Sequence, residues 1–195
     1  MNHAIAYKDM THSDATCCRG LCNALMRHQA SAAEKYSDLL SKMTFENRLQ
    51  ASFSKAQCKK LIVAYDQDAP IGYVYGEIFE VTPENIGEFK PFADQVSEED
   101  AQGHGLIPPA LGIPAWVADL VNLYVEPAYR SAQVGKELTT QMIEWFRQNK
   151  EVSCWLVYVS NGNNPGTFYQ KFGFTYSHEV LNGLITCYSH FTKAD

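Results

Sequence analysis

Residues 116–159 carry a β run closed by a proline, then an amphipathic helical stretch, then a second apolar β run, and that succession admits few folds. The run at 116–125 is rich in Val, Leu, Trp and Tyr, and Pro127 closes it because proline fixes φ and lacks the N–H that a ladder uses. From Ser131 the period lengthens: Val134, Leu138, Met142 and Trp145/Phe146 fall on one stripe that runs to about Lys150. Residues 153–159, SCWLVYV, read as a buried strand. Strand, helix and strand in this order form a parallel crossover, which backbone chirality makes right-handed.

The flanking segments fit around that unit. Residues 4–8 are expected to form a first strand. Ser13 is read as an N-cap, with Asp14 in the first turn of a helix that carries Cys18, Leu21, Cys22 and Leu25 on one face. A second helical stretch follows with Tyr36, Leu39, Leu40 and Met43. Thr44 is read as capping a third, with Phe45, Leu49 and Phe53 on one side. Residues 60–81 hold two β-rich runs around 66–70, a hairpin by composition and loop length. Residues 82–114 contain five of the eight prolines and are read as a loop or short-helix insertion. Long insertions of this kind inside a domain tend to be functional. After residue 160 come a turn at 161–166, a short helix at 167–172 and two closing strands at 174–180 and 184–191. The chain of 195 residues holds enough apolar material for one core, so one domain over 1–195 with an insertion at 82–114 is expected.

Charge and composition narrow the function classes. The net charge of -6 argues against binding a phosphate backbone, so no nucleic acid is expected as a partner. No apolar run approaches the ~20 residues that span a bilayer, and residues 1–10 lack a signal peptide's apolar core; no membrane association and a cytoplasmic location are expected. The six cysteines read as reduced core thiols. Cys17, Cys18 and Cys22 lack the spacing of a zinc site and His12 and His28 do not complete one, so no metal is expected. A Cys154–His178 nucleophile pair is conceivable, but both lie on strands expected to be buried. From Glu77 to Asp119 the chain carries nine acids and one base, Lys90. That segment is either a solvated loop or a surface that attracts a cationic substrate.

The turn between the strand at 116–125 and the following helix is where chemistry concentrates. A helix start presents unpaired N–H groups and the positive end of the dipole, and small residues let an anion approach them. Ser131, Ala132 and Gly135 are small, and Arg130 adds charge. The run LYVEPAYRSAQVG, followed some thirty residues later by FYQKFGF, resembles the GNAT family of acyl-CoA-dependent N-acetyltransferases. Arg130, Gln133 and Gly135 fall on that family's Arg/Gln-x-x-Gly-x-Gly/Ala positions, and Phe168-Tyr169 with Gly173-Phe174 falls on its aromatic-Tyr…Gly-Phe block. Gln133 stands where the family usually has glycine. The resemblance covers 116–176, extends loosely to the hairpin and the N-terminal helices, and does not include 82–114.

The resemblance implies an α/β fold with a central, mostly antiparallel sheet, one parallel crossover and flanking helices. It implies acetyl-CoA as co-substrate, with the backbone of Leu123, Tyr124 and Val125 along the pantetheine arm. The amides of Gln133, Val134, Gly135 and Lys136, beside Ser131 and Ala132 and with Arg130, would meet the pyrophosphate. Asp119 occupies the position of the family's general base, on a face expected to include Val121, Leu123 and Val125 by the period-2 rule; the plain alternative is a strand-end Asp that satisfies a neighbouring loop. Tyr169 falls on the family's acid for the departing thiolate; the alternative is a core tyrosine. The expected activity is acetyl transfer to a primary amine of a small cationic molecule by direct attack, with a peptide or protein amino group as the other acceptor. Homodimers are common in the family. A non-catalytic module that binds acyl-CoA or a protein partner is the competing reading, favoured by Gln133.

Overall fold

A computed structural model describes residues 4–88, 105–163 and 166–192. Seven strands form one sheet in the order β1-β2-β3-β4-β5-β7-β6: β1 Ala6–Asp9, β2 Cys58–Asp66, β3 Ala69–Val81, β4 Ala115–Val125, β5 Val152–Ser160, β6 Thr175–Val180 and β7 Ile185–Phe191. Every pairing is antiparallel except β4 with β5, which is parallel as the strand-helix-strand pattern requires. The helices are α1 Arg19–Ala32, α2 Ser37–Ser41, α3 Ala51–Lys55, α4 Val134–Gln148 and α5 Gly166–Gln170. A single π-helical turn, Glu46–Gln50, leads into α3.

The sheet is covered on both faces, and strand alternation decides which side chain goes where. Ile62 and Ala64 of β2, with Val74 and Ile78 of β3, face α4, whose stripe Val134, Leu138, Met142, Ile143 and Phe146 is buried against them. Each such side chain contributes roughly 1.5–3 kcal/mol through burial. Leu61, Val63, Tyr73 and Tyr75 face the other way and meet Leu21, Cys22, Leu25 and Met26 of α1. Several helix starts differ from the sequence expectation. Asp14 rather than Ser13 holds the first turn, its Oδ1 accepting the Thr16 N–H at 2.9 Å. Thr44 makes no side-chain cap; its own N–H donates to Asn47 Oδ1 at 2.7 Å. The helix expected from Ser131 begins at Val134, because Pro127–Ala132 first winds as a 3-10 turn.

The region at 82–114 does connect β3 to β4. Its described ends are residues 82–88, which include a short 3-10 turn at Ile86–Glu88, and residues 105–114; residues 89–104 of that expected insertion lie outside the described residues. Tyr158 donates its hydroxyl to Leu106 O at 2.7 Å, and a ring nitrogen of His178 meets Gly105 O at 2.8 Å. The returning end of the segment is thereby held over β5 and β6.

The end of β5 is anchored to the helical layer by one side chain. Asn161 Oδ1 accepts the N–H groups of Glu34 and Lys35, both at 2.8 Å, and its Nδ2 donates to Lys35 O at 3.0 Å and Leu184 O at 3.1 Å. Gly162 follows at φ 77, and a Cβ there would lie 1.7 Å from Ala32 O. Gly162→Ala is expected to cost on the order of 3 kcal/mol, whereas Gly20→Ala, in a helical position with open space around it, should gain about 0.5 kcal/mol. Thermal unfolding of the two variants beside the parent protein checks both signs.

Candidate active site

Two features of β4 build the site. Opposite β3, Tyr75 pairs with Asn122 while Gly76 pairs with Leu120, so Val121 is an extra residue, a β-bulge. Opposite β5, the parallel ladder ends at Leu120 and Val157. Beyond that point β4 and β5 part, and among the described residues β4 keeps β3 alone as a strand neighbour, through Leu123, Tyr124 and Val125.

The gap is a cavity of about 450 Å³. Leu123, Tyr124 and Val125 line it from β4, Val159 from β5, Leu25 and His28 from α1, and Gly135, Arg130, Phe168 and Tyr169 from its far end. It therefore runs along an edge of β4 that has no strand partner among the described residues to the start of α4, where N–H groups lack intrahelical partners. Glu126 N–H donates to Ile71 O at 2.9 Å and the Tyr129 hydroxyl to Asp66 Oδ2 at 2.8 Å, fixing the turn before α4 onto the β2–β3 hairpin. Arg130 Nε donates to Val125 O at 3.2 Å, with its guanidinium over the Tyr124 ring.

Of the residues singled out by the sequence, Leu123, Tyr124, Val125, Arg130, Gly135 and Tyr169 come together in this cavity. Val134 is buried under α4, and Ser131, Ala132, Gln133 and Lys136 are exposed beside the lining. Gln133 takes a left-handed conformation, φ 59 and ψ 13, the backbone state that glycine adopts most freely. Its side chain stays out of the cavity lining.

A second cavity, of about 830 Å³, lies on the other side of the bulge. Gln29, Val121, Asn122, Tyr158 and Ser160 line both cavities, so they meet there. Asp119 lines the second cavity. The face expected for it is corrected by the bulge: Leu123 and Val125 pack with the α4 cluster, whereas Val121 and Tyr124 lie on the α1 side with Asp119. Sequence reasoning also missed Glu77, which sits directly across from Asp119 on β3. Its Oε1 accepts the Tyr75 hydroxyl at 2.6 Å and that of Ser52 in a shorter contact. Arg48, from the π-helical turn, lines the same cavity. A charged residue inside the apolar run YVYGEIFEV was the available signal for Glu77; nothing comparable marked Arg48.

The acidic segment reaches the larger cavity in part. Among the described residues, Glu77, Glu80 and Asp119 line the cavity, and all three belong to β3 and β4 rather than to the insertion. Arg48 and Lys55 stand in the same wall. Asp94, Glu98, Glu99 and Asp100 lie outside the described residues.

Burial and the negative charge of Glu77 hold the Asp119 carboxyl well above the usual carboxylate range, against a smaller pull from Arg48. Its Oδ1 is sealed from solvent and, among the described residues, accepts no hydrogen bond. Burial likewise raises Glu77, opposed by the Tyr75 hydroxyl, Lys59 and Arg48. Tyr169 is raised by burial first and by Asp119 second, so it remains a neutral hydroxyl. The Cys154–His178 pair is not built: β7 runs between their strands, and the His178 ring nitrogens meet Ser177 Oγ and Gly105 O. Among the described residues there is no cluster of three metal-ligating side chains, and no helix is long and apolar enough to cross a membrane.

The family model for the acetyltransferase (GNAT) domain matches residues 57–176, more than half of the chain. This chain belongs to the GNAT acetyltransferase family. It is thus, by class, an acyl-CoA-dependent N-acyltransferase. Solved structures agree on the fold. The PaiA N-acetyltransferase from Thermoplasma acidophilum, in complex with coenzyme A, superposes with a TM-score of 0.61 at 16% identity, over 97% of this chain and 99% of that one. NAA60 from Arabidopsis thaliana, in complex with a bisubstrate analogue, gives 0.57 at 11% identity over 98% and 100%. The NatC complex bound to Gag peptide and CoA gives 0.54 at 13% identity over 97% of this chain and 99% of that one. No curated protein sequence matches the chain.

A carboxyl whose folded pKa lies above its unfolded value, about 3.9 for Asp, weakens the fold as pH climbs from that value towards the folded one. Asp119→Asn removes this penalty. The variant should melt higher than the parent at pH 7–8, and the gain should vanish below about pH 4; paired melting curves across that range test it.

Proposed function

We propose that the protein transfers an acetyl group from acetyl-CoA to a primary amine by direct attack. The smaller cavity would hold the acyl-CoA arm and the larger one would admit the amine. The observation that carries this reading is the parting of β4 and β5, which leaves one edge of Leu123, Tyr124 and Val125 without a strand partner and leads to the start of α4. Unpaired backbone groups are costly unless something satisfies them, and the amides along an extended arm are suited to do so. Acetyl-CoA, when bound, supplies a thioester-activated acetyl group.

The chain's own residues then have distinct tasks. The backbone of 123–125 orients the arm. The amides of Gln133 to Lys136, with Ser131 and Ala132 small enough to let an anion close, and Arg130 beside them, take the pyrophosphate. At Gly135 a Cβ would meet Val125 Cγ2 at 3.6 Å and Phe168 Cζ at 3.9 Å, ordinary contacts, so the fold tolerates Ala there while a longer side chain enters the cavity. A carboxylate of the larger cavity takes a proton from the incoming ammonium. Tyr169 stays protonated and donates a hydrogen bond to the departing sulfur; a thiol near the usual ~8.5 is more acidic than this raised phenol, so the hydroxyl relays a proton without resting as phenolate.

For the acceptor, Glu77, Glu80 and Asp119 support a small cationic amine. A peptide amino group is the second reading, favoured by the cavity's size and by Arg48 and Lys55, which offset the acids; the NatC neighbour is itself bound to a peptide.

Calorimetric titration with acetyl-CoA should show binding that persists in Gly135→Ala and is lost in Gly135→Glu. Thiol release should then be followed with spermidine, kanamycin and a short peptide as acceptors. Tyr169→Phe should lower kcat by about 10²-fold or more while acetyl-CoA still binds. Unchanged turnover in Tyr169→Phe would remove the tyrosine from the mechanism.

A further inference from the structure

Glu77 and Asp119 form a cross-strand carboxyl pair whose two members have unequal surroundings. They are directly opposed on β3 and β4, on the face that lines the larger cavity. Like-charged carboxyls this close in a desolvated wall do not both ionise; they share a proton and titrate as a unit. Which member keeps the charge is set by the neighbours. Glu77 has two hydroxyl donors on Oε1, Tyr75 from its own strand and Ser52 from α3. Lys59 of β2 and Arg48 of the π-helical turn act on it as well. Among the described residues, Asp119 has one cation, Arg48, no hydrogen bond to its sealed Oδ1, and the negative charge of Glu77 opposite. On β5, Tyr158 carries no compensating charge, and neither does Cys187 of β7. An ionised Asp119 would be a buried charge with an orphaned oxygen, whereas an ionised Glu77 is solvated by the protein itself.

We propose that Glu77, not Asp119, accepts the proton of the attacking amine, and that Asp119 is its protonated partner. This rests on the reading that the larger cavity admits the amine. The ammonium nitrogen gives one proton to the Glu77 carboxylate, leaving a neutral amine and a glutamic acid. The freed lone pair forms the N–C bond as the C–S bond breaks, and the electron pair of that bond leaves with sulfur. The proton still on nitrogen balances the thiolate, with Tyr169 as the relay. Asp119 stays protonated throughout, so the pair carries one negative charge before the transfer and none after it. With Glu80, that single charge is matched by Arg48 and Lys55 in the lining, so the described wall is close to neutral and exerts no net pull on a strongly polycationic ligand.

The test combines ¹³C-carboxyl NMR titration of the whole protein with turnover of spermidine and of a short peptide, acetyl-CoA binding being measured on every variant. At pH 7 one carboxyl should be protonated; its signal should vanish in Asp119→Asn and persist in Glu77→Gln. Glu77→Gln should lower kcat by about 10²–10⁴-fold and abolish the acid limb of the pH–rate profile. Asp119→Asn should lower kcat less and keep that limb. Two ionised carboxyls at pH 7, or loss of the acid limb in Asp119→Asn rather than in Glu77→Gln, would overturn the assignment. If neither amine turns over although acetyl-CoA binds, the NMR titration decides alone. Loss of acetyl-CoA binding in the parent protein would sink the functional reading instead, and leave the shared proton measurable.

Discussion

Beyond Leu120, among the described residues, strand β4 has a strand neighbour on one side only, and the rest of the site follows from that broken ladder. A parallel pair that stayed in register to the end of β5 would bury its backbone groups in hydrogen bonds and leave no gap. Here the ladder stops at Leu120 and Val157, and Asn161 ties the end of β5 to the segment after α1. The bulge at Val121 works with the separation: one extra residue rotates the strand, sending Asp119 and Val121 to one face and Leu123 and Val125 to the other. A single strand thereby serves two cavities. They meet at Gln29, Val121, Asn122, Tyr158 and Ser160, where reactants entering from either side would come together.

Electrostatics in the larger cavity follow from the register on the other flank of β4. The same pairing that places Gly76 opposite Leu120 places Glu77 opposite Asp119. Two carboxyls sharing one wall is costly unless one is neutral, and Tyr75, Ser52, Lys59 and Arg48 divide unequally between them. The cavity thus holds an acid and a carboxylate side by side, a combination that favours proton transfer over simple salt-bridging of the amine.

Much of this was legible in the sequence where local pattern decides the outcome. The strand at 116–125, its closure at Pro127, the helical stripe from Val134 to Phe146 and the final two strands all carry strong periodicity, and the structure contains them. Helix starts were displaced by a few residues because several side chains near each start can cap, and packing chooses between them: Asp14 over Ser13, and a 3-10 turn before Val134. The face of Asp119 was not legible, since a bulge is a property of pairing and leaves no mark on a single strand. Glu77 was hidden for the same reason: its partner is fixed by register with a strand some forty residues away. Residue type alone does not say which way Gln133 points; its backbone adopts the left-handed state and its side chain is exposed.

The account's central claim is that the open edge of β4 is the seat of the acyl-CoA arm. Hydrogen–deuterium exchange with and without acetyl-CoA tests it most directly, because it reads the backbone amides themselves. Added acetyl-CoA should slow exchange in residues 121–125 and at the start of α4, and leave the already paired amides of β2 unchanged. Protection confined to any other part of the chain, or none at saturating ligand, would contradict the account.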